Sequence, residues 1–124
     1  MPLGLELAQL VGLATQLAGG AGSQTLVGNA ALASTLDGGA GDDVLLSGGG
    51  ADRLLFDTPG WGADNVFGLT PGAGFGVDLR GSGLLSTADI TLTAFDGGTL
   101  LQSAHGSIAF FGLSTQQIQD SLVW

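Results

Sequence analysis

Residues 38 to 55 read GGAGDDVLL and then SGGGADRLL, a nine-residue period that sets Asp43 and Asp52, and after them Leu45 and Leu54, at matching places. Each copy clusters glycines ahead of a carboxylate. Glycine adopts backbone angles closed to other residues, so such a segment can turn tightly and aim its carbonyl oxygens at one point. An aspartate at the end of the turn adds a hard, anionic oxygen to those carbonyls. Calcium takes about six to eight oxygen ligands from flexible carboxylates and carbonyls, and that is the chemistry this pattern offers.

The residues after each aspartate alternate, which predicts a short strand with its leucine directed inward and the flanking residues outward. One nonapeptide is therefore a turn plus a strand. A single copy can neither bury its leucine nor complete an ion's shell, so further copies are required. Residues 59 to 67, PGWGADNVF, keep Gly60, Gly62, Asp64 and Val66 in phase, with Pro59 replacing the first glycine and Phe56-Asp57-Thr58 inserted ahead. Upstream, residues 19 to 27, GGAGSQTLV, match the glycines and Leu26 but place Gln24 where the aspartate belongs. Residues 28 to 37, GNAALASTLD, form a unit with one extra residue, carrying Ser34 and Leu36. Leu17, in VGLATQLA, lies nine residues before Leu26. The repeat continues toward the N terminus while losing its aspartates.

Composition narrows the alternatives. The chain has 124 residues, 24 of them glycine, and 10% are charged, which predicts one small domain without an ordinary helical core. Mean hydropathy is positive, against a disordered chain, and short strands between glycine turns argue for an all-β class. Net charge is −9, there is no lysine, and Arg53 and Arg80 are the two cations, so nucleic acid is excluded as a natural partner. Aspartates clustered in this way repel one another without a cation, so calcium is expected to be required for folding. Zero cysteine fits secretion through an unfolded route and a cytosolic protein alike.

The N-terminal run MPLGLELAQLVGLATQLAGG lacks a basic leader and contains Glu6, making a poor signal peptide, and Gly4, Gly12 and its polar residues break it as a membrane span. It reads either as an amphipathic helix using Leu3, Leu7, Leu10, Ala14 and Leu17, or as degenerate β rungs beginning with Leu3, Leu5 and Leu7; the phase of Leu17 favours rungs after about residue 11. Beyond the repeats, Ile90, Leu92 and Ala94 alternate before Asp96-Gly97-Gly98, and Leu100-Leu101 follow, predicting a hairpin. A second turn at Ala104-His105-Gly106 leads to Ile108, Phe110 and Phe111, and Ser114 is placed to cap a helical turn over residues 115 to 119. The end, DSLVW, predicts a final strand burying Leu122 and Trp124.

The repeat units resemble the repeats-in-toxin (RTX) nonapeptide family, and the continuation FDTPGWGADNVFGLTPG, GVDLRGSG, strands around DGG and the acidic-then-apolar tail resembles the C-terminal region of RTX exoproteins. The resemblance covers residue 19 to the end and is most specific over 38 to 67. It implies a right-handed parallel β-roll (β-helix) of nonapeptide repeats followed by an antiparallel β-strand C-terminal cap, folding with Ca2+, and export through a type I secretion apparatus that reads an uncleaved C-terminal signal. The whole of 1–124 is then one domain: an apolar segment or degenerate rungs at 1–18, roll repeats at 19–67, and a capping and secretion region at 68–124. In that family, calcium lies between a turn and the turn two units later. Carried over by position, this pairs Asp43 with Asp64 as the best site, sets Asp52 opposite Ser34 with one charge missing, and leaves Gln24 facing Asp43 in a weakened site. One or two ions are implied, with Gly39, Gly41, Gly48, Gly50, Gly60 and Gly62 near the ligating carbonyls.

The bland reading of Asp43, Asp52 and Asp64 is that each caps its own turn; three in phase with glycine pairs favour the ion. Asp42 is expected to be solvated or outside the ion's direct contacts, and Asp57 is a candidate loop ligand. Asp37, Asp78, Asp89 and Asp96 are expected as turn or cap residues, Trp61 as a packing lid, and His105 as a solvent-exposed loop residue. Catalysis finds no support: the chain has no HExxH pair, GxSxG elbow, cysteine, tyrosine or lysine. Two functions compete. One is a secreted, non-enzymatic, calcium-binding extracellular or cell-surface structural component that self-associates into filaments through an apolar roll end. The other is the calcium-dependent folding and secretion module of a larger exoenzyme such as a lipase or protease. The initial Met-Pro and the lack of a catalytic region favour the first.

Overall fold

A computed structural model describes residues 9–11, 16–20, 22–28, 33–56, 60–70 and 72–124. The glycine-turn period folds into eight short strands, β1 (Gln9–Val11), β2 (Gln16–Ala18), β3 (Thr25–Val27), β4 (Thr35–Asp37), β5 (Val44–Leu46), β6 (Arg53–Leu55), β7 (Gly62–Phe67) and β8 (Gly76–Asp78). Consecutive strands do not pair. Each pairs in parallel with the strand after next, so odd strands build one sheet and even strands another. Three-residue strands with a buried centre follow from the alternation: Leu26, Leu45 and Val66 stack in register in the first sheet, and Leu36, Leu54 and Val77 in the second. All six are at most 1% exposed, and the core lies between the two sheets.

The apolar N-terminal segment is strand where it is described. At 9–11 and 16–18 the helix reading is overturned, and the rungs begin earlier than residue 11, because these backbones pair with β3 and β4. Residues 1–8, with Leu3, Leu5 and Leu7, lie outside the described residues.

After β8, a 3-10 turn at Thr87–Asp89 leads into an antiparallel meander of β9 (Thr91–Phe95), β10 (Gly98–Ser103) and β11 (Gly106–Phe111). Asp96 and Gly97 make the first turn, with Gly97 at φ +118. The meander is hydrogen-bonded onto the first sheet, since β11 pairs in parallel with β7, giving a seven-stranded sheet of mixed direction. Helix α1 (Thr115–Ser121) starts at Ser114, whose hydroxyl accepts from the Gln117 amide while the Gln117 side chain accepts from the Ser114 amide. The helix runs two residues past the expected turn and buries Ile118 in the core. β12 (Leu122–Val123) then pairs in parallel with β8, extending the second sheet to five strands. Leu122 and Trp124 are half-buried against the core, short of the full burial expected.

Turns two units apart approach closely enough to exclude side chains. A Cβ at Gly62 would lie 2.5 Å from the Gly41 carbonyl oxygen, and Gly62 sits at φ +86; Gly50 has open space and an ordinary φ. Gly62→Ala is therefore expected to lower stability by about 2 kcal/mol or more, and Gly50→Ala to stay within about 0.5 kcal/mol of the parent, in urea unfolding. Equal effects would show that turn stacking is looser than described.

Candidate metal centre

The parallel register carries the repeat into a column of polar residues. Because Thr25, Val44 and Asn65 are partners across β3, β5 and β7, the residues before them, Gln24, Asp43 and Asp64, fall at one level. The Gln24 amide donates to Asp43 Oδ1 at 2.9 Å, and the Asp43 amide donates to Asp64 Oδ1 at 2.8 Å. Each carboxylate thus holds the backbone one level up. Both aspartates are buried, and Oδ2 of each has no hydrogen-bond partner. One oxygen of each carboxylate is used by the fold and the other is buried without a partner.

Burial pushes the Asp43 carboxyl up to about 6, with the Asp42 and Asp37 carboxylates adding and the Gln24 amide opposing. Burial pushes Asp64 up to about 7, with Asp43 and Asp42 adding and the Asp43 amide opposing. Like charges in a desolvated column are unfavourable until something cationic joins them. The chain does not supply it: it has no lysine, and Arg53 and Arg80 are both committed to Asp78.

Glycines make the room. A Cβ at Gly38 would lie 2.5 Å from Asp43 Oδ2, and one at Gly39 would lie 2.6 Å from the Gly20 carbonyl oxygen. Left-handed backbone at Gly39 and Gly41 recurs at Gly60 and Gly62, so the turns leading to Asp43 and Asp64 share one geometry. Asp42 is exposed as expected, but it also accepts the Ala63 amide at 2.9 Å and joins the two turns.

The turn leading to Asp52 is different in kind. Its left-handed residue is Gly49, with Gly48 and Gly50 in ordinary conformations. Asp52 lies opposite Ser34, whose amide donates to Oδ1 at 2.7 Å. Its Oδ2 accepts from the Ser47 hydroxyl and from the Gly48 amide at 3.0 Å. Both oxygens are occupied by the protein. In the other column Gln24 closes its own turn, its Oε1 accepting the Gly20 amide at 2.8 Å.

Asp78 is the ionic feature the sequence reading missed. Instead of merely capping a turn, it receives Arg80 through Nε to Oδ1 at 3.0 Å and Nη2 to Oδ2 at 2.8 Å, and Arg53 Nε stands 3.3 Å from Oδ2. The Arg80 side-chain hydrogen bonds hold its carboxyl below the usual carboxylate range. The signal was an arginine two residues after an aspartate, plus one on the neighbouring strand. Asp37 and Asp89 cap local backbone through Gly39 and Leu85, and Asp96 occupies the hairpin turn, as expected. Asp57 lies outside the described residues. Trp61 is 1% exposed and belongs to the core, edge-on to Phe56 and to His105 at 5.5 Å, which in turn is half-buried rather than solvent-exposed.

Among the described residues no three His, Cys, Asp or Glu side chains converge, so an ion here would take two carboxylates and complete its shell with backbone carbonyls. Two unpartnered hard oxygens beside glycine turns fit that donor set. Neither comparison with protein-family models nor a search of curated proteins finds a match for this chain. Among the described residues no helix is long and apolar enough to cross a membrane.

The raised carboxyls fix a pH dependence. Asp43 and Asp64 bind protons more tightly folded than unfolded, so their contribution is favourable below 3.8 and is lost as pH rises through about 6 and 7. Asp78 has the opposite sign, stabilising above 3.8 and losing that as pH falls through its depressed value. In chelator the melting temperature is expected to rise on acidification from neutral to about pH 5, then fall in stronger acid. A melting temperature that drops steadily from neutral pH downward would contradict this balance.

Proposed function

We propose that this chain is a calcium-binding β-roll, right-handed as in RTX proteins, whose principal ion site is formed by Asp43 and Asp64 with carbonyls of the glycine turns that include Gly39, Gly41, Gly60 and Gly62. The observation that carries the reading is the contrast between columns: Asp43 and Asp64 each keep one buried, unpartnered oxygen, whereas both oxygens of Asp52 are bonded by Ser34, Ser47 and Gly48. Calcium would supply the positive charge that the chain lacks at this column. Asp52 then serves the fold as a turn lock, and Gln24 closes a turn without an ion.

The role of such a roll is structural and non-enzymatic. It is a secreted, extracellular or cell-surface component exported by a type I apparatus, folding when calcium is met outside the cell and self-associating through its ends. Strands β1 and β2, at the N-terminal edges of the two sheets, support this as places where another chain's backbone could add.

Calcium titration followed by calorimetry and circular dichroism tests the site. Asp43→Ala with Asp64→Ala is expected to abolish the calcium-induced rise in stability. Asp52→Ala is expected to keep ion binding while lowering stability by about 1–3 kcal/mol. Gln24→Asp, which places a third carboxylate in the column, is expected to add a binding event. Unchanged calcium affinity in the double variant would sink the assignment.

Assembly has a separate measurement. Light scattering and electron microscopy are expected to show polymers with calcium and none with chelator, whereas a calcium-loaded monomer at all concentrations would remove the assembly role and leave the ion site standing.

A further inference from the structure

The chain holds two Asp-Gly bonds, Asp37-Gly38 and Asp96-Gly97. In this dipeptide the glycine nitrogen can attack the aspartyl side-chain carbon and close a five-membered imide, since glycine has no Cβ to hinder the approach. The fold treats the two bonds differently. Asp37 ends β4, paired with Ala18 and Leu55, and its carbonyl accepts the Gly19 amide at 2.7 Å. Its Oδ1 accepts the Gly39 amide at 3.0 Å, and Gly38 is buried against Asp43, whose Oδ2 would lie 2.5 Å from a Cβ there. Turning the Asp37 carboxyl back over its own peptide breaks that bond and unstacks the turn. Asp96-Gly97, by contrast, is the whole turn between β9 and β10, closed by the pairing of Phe95 with Gly98. Both residues are exposed, and among the described residues neither the Asp96 carboxylate nor the Gly97 amide has a hydrogen-bond partner.

We infer that Asp96-Gly97 is a site of covalent self-modification, isomerising to isoaspartate in the folded chain, and that the stacked turns protect Asp37-Gly38 from the same reaction. The Gly97 nitrogen bonds to Asp96 Cγ, and the carboxyl OH leaves with the amide proton as water. Water then adds back to the imide. Cleavage between Cγ and nitrogen restores aspartate, whereas cleavage at the main-chain carbonyl leaves the chain running through Cγ with a free α-carboxylate. Neither mass nor charge changes, and no enzyme or co-reactant besides water is required. The product also suits the fold around it. Isoaspartate lengthens the main chain by one carbon inside a two-residue turn, so the closure of Phe95 on Gly98 is lost. Among the described strands β9 pairs with β10 alone, and Thr91 and Thr93–Phe95 are exposed. The lesion therefore disturbs one edge strand and leaves the pairing of β10, β11 and β7 in place, so modified chains stay folded and accumulate.

Ageing the full chain with calcium at neutral pH in heavy-oxygen water tests this, because each passage through the imide adds one labelled oxygen. Trypsin cuts after Arg53 and Arg80, so residues 1–53 carry Asp37 and residues 81–124 carry Asp96. Mass spectrometry with electron-transfer fragmentation is expected to find label and isoaspartate at Asp96. At Asp37 both are expected to form at least about tenfold more slowly, since reaction there waits on local opening of the stacked turns. In urea the two sites are expected to react at similar rates, which assigns the difference to the fold. Asp96→Glu, whose imide would need a six-membered ring, is expected to remove the label from residues 81–124. Equal rates at the two sites in the folded chain overturn the inference. So does an Asp96 that stays unlabelled when folded but reacts in urea, or a label in residues 81–124 that survives Asp96→Glu. A preference for Asp96 that persists undiminished in urea overturns the protection of Asp37-Gly38.

Discussion

Close stacking of glycine turns two repeats apart is the constraint on which everything else depends. At Gly39 and Gly62 the carbonyl oxygen of the turn two units earlier, that of Gly20 and of Gly41, stands 2.6 and 2.5 Å from where a side chain would begin, so the backbones are nearly in contact. Parallel pairing at that spacing leaves the amides of Gln24 and Asp43 needing acceptors as they enter the strands. The carboxylate two repeats later supplies each one. Burial of a polar group is tolerable when it is bonded, and one oxygen of each carboxylate meets that condition. The other does not, and the same stacking that removes it from water also lines it up beneath a like charge.

The chain relaxes this conflict differently at each place where it arises. Gln24 keeps the shape and drops the charge, using its amide oxygen on Gly20. Asp52 keeps the charge and borrows the Ser47 hydroxyl, in a turn whose left-handed residue is Gly49. Asp78 keeps the charge and takes both arginines, the bidentate Arg80 being the stronger partner. Asp43 and Asp64 receive none of these. Their raised proton affinity and unpartnered oxygens are one fact seen twice: the protein solvates half of each carboxylate and leaves the remainder to an external cation or a proton.

Much of this was legible because the period is short and each place in it has one physical job. Leu17, Leu26, Leu36, Leu45, Leu54 and Val66 identify the rungs, and the two-unit alternation that the RTX resemblance implied brings Asp43 to Asp64 and Asp52 to Ser34, as the registers have them. The hairpin at Asp96-Gly97 and the Ser114 cap were equally local. What escaped depends on which side chain reaches which partner, near or far in sequence. Two turns with similar glycine content differ because Ser47 reaches Asp52, and a pattern of types does not say which hydroxyl will reach. Asp78 meets Arg53 only through the pairing of β6 with β8, which spans an irregular insertion. Trp61 belongs to the core because the meander brings His105 against it, and the length of a loop does not reveal that.

The position of the open pair in the fold gives it a consequence beyond one turn. Asp64 lies in β7, the strand shared by the repeats on one side, through β5, and by the C-terminal meander on the other, through β11. Asp43 immediately precedes β5. Repulsion between the two carboxylates therefore acts between β5 and β7, one strand away from the seam where β11 joins the repeats. Toward the N terminus the column ends in Gln24, which needs no ion, so the demand for charge compensation is concentrated where the cap is attached. A β12 strand and helix α1 hold the second sheet at the same end. The cap's hydrogen bonds to β7 and β8 bypass Asp43, so what neutralises Asp43 and Asp64 governs how firmly β5 is held to β7, the last pairing of the repeats before the cap, and not the grip of the cap itself.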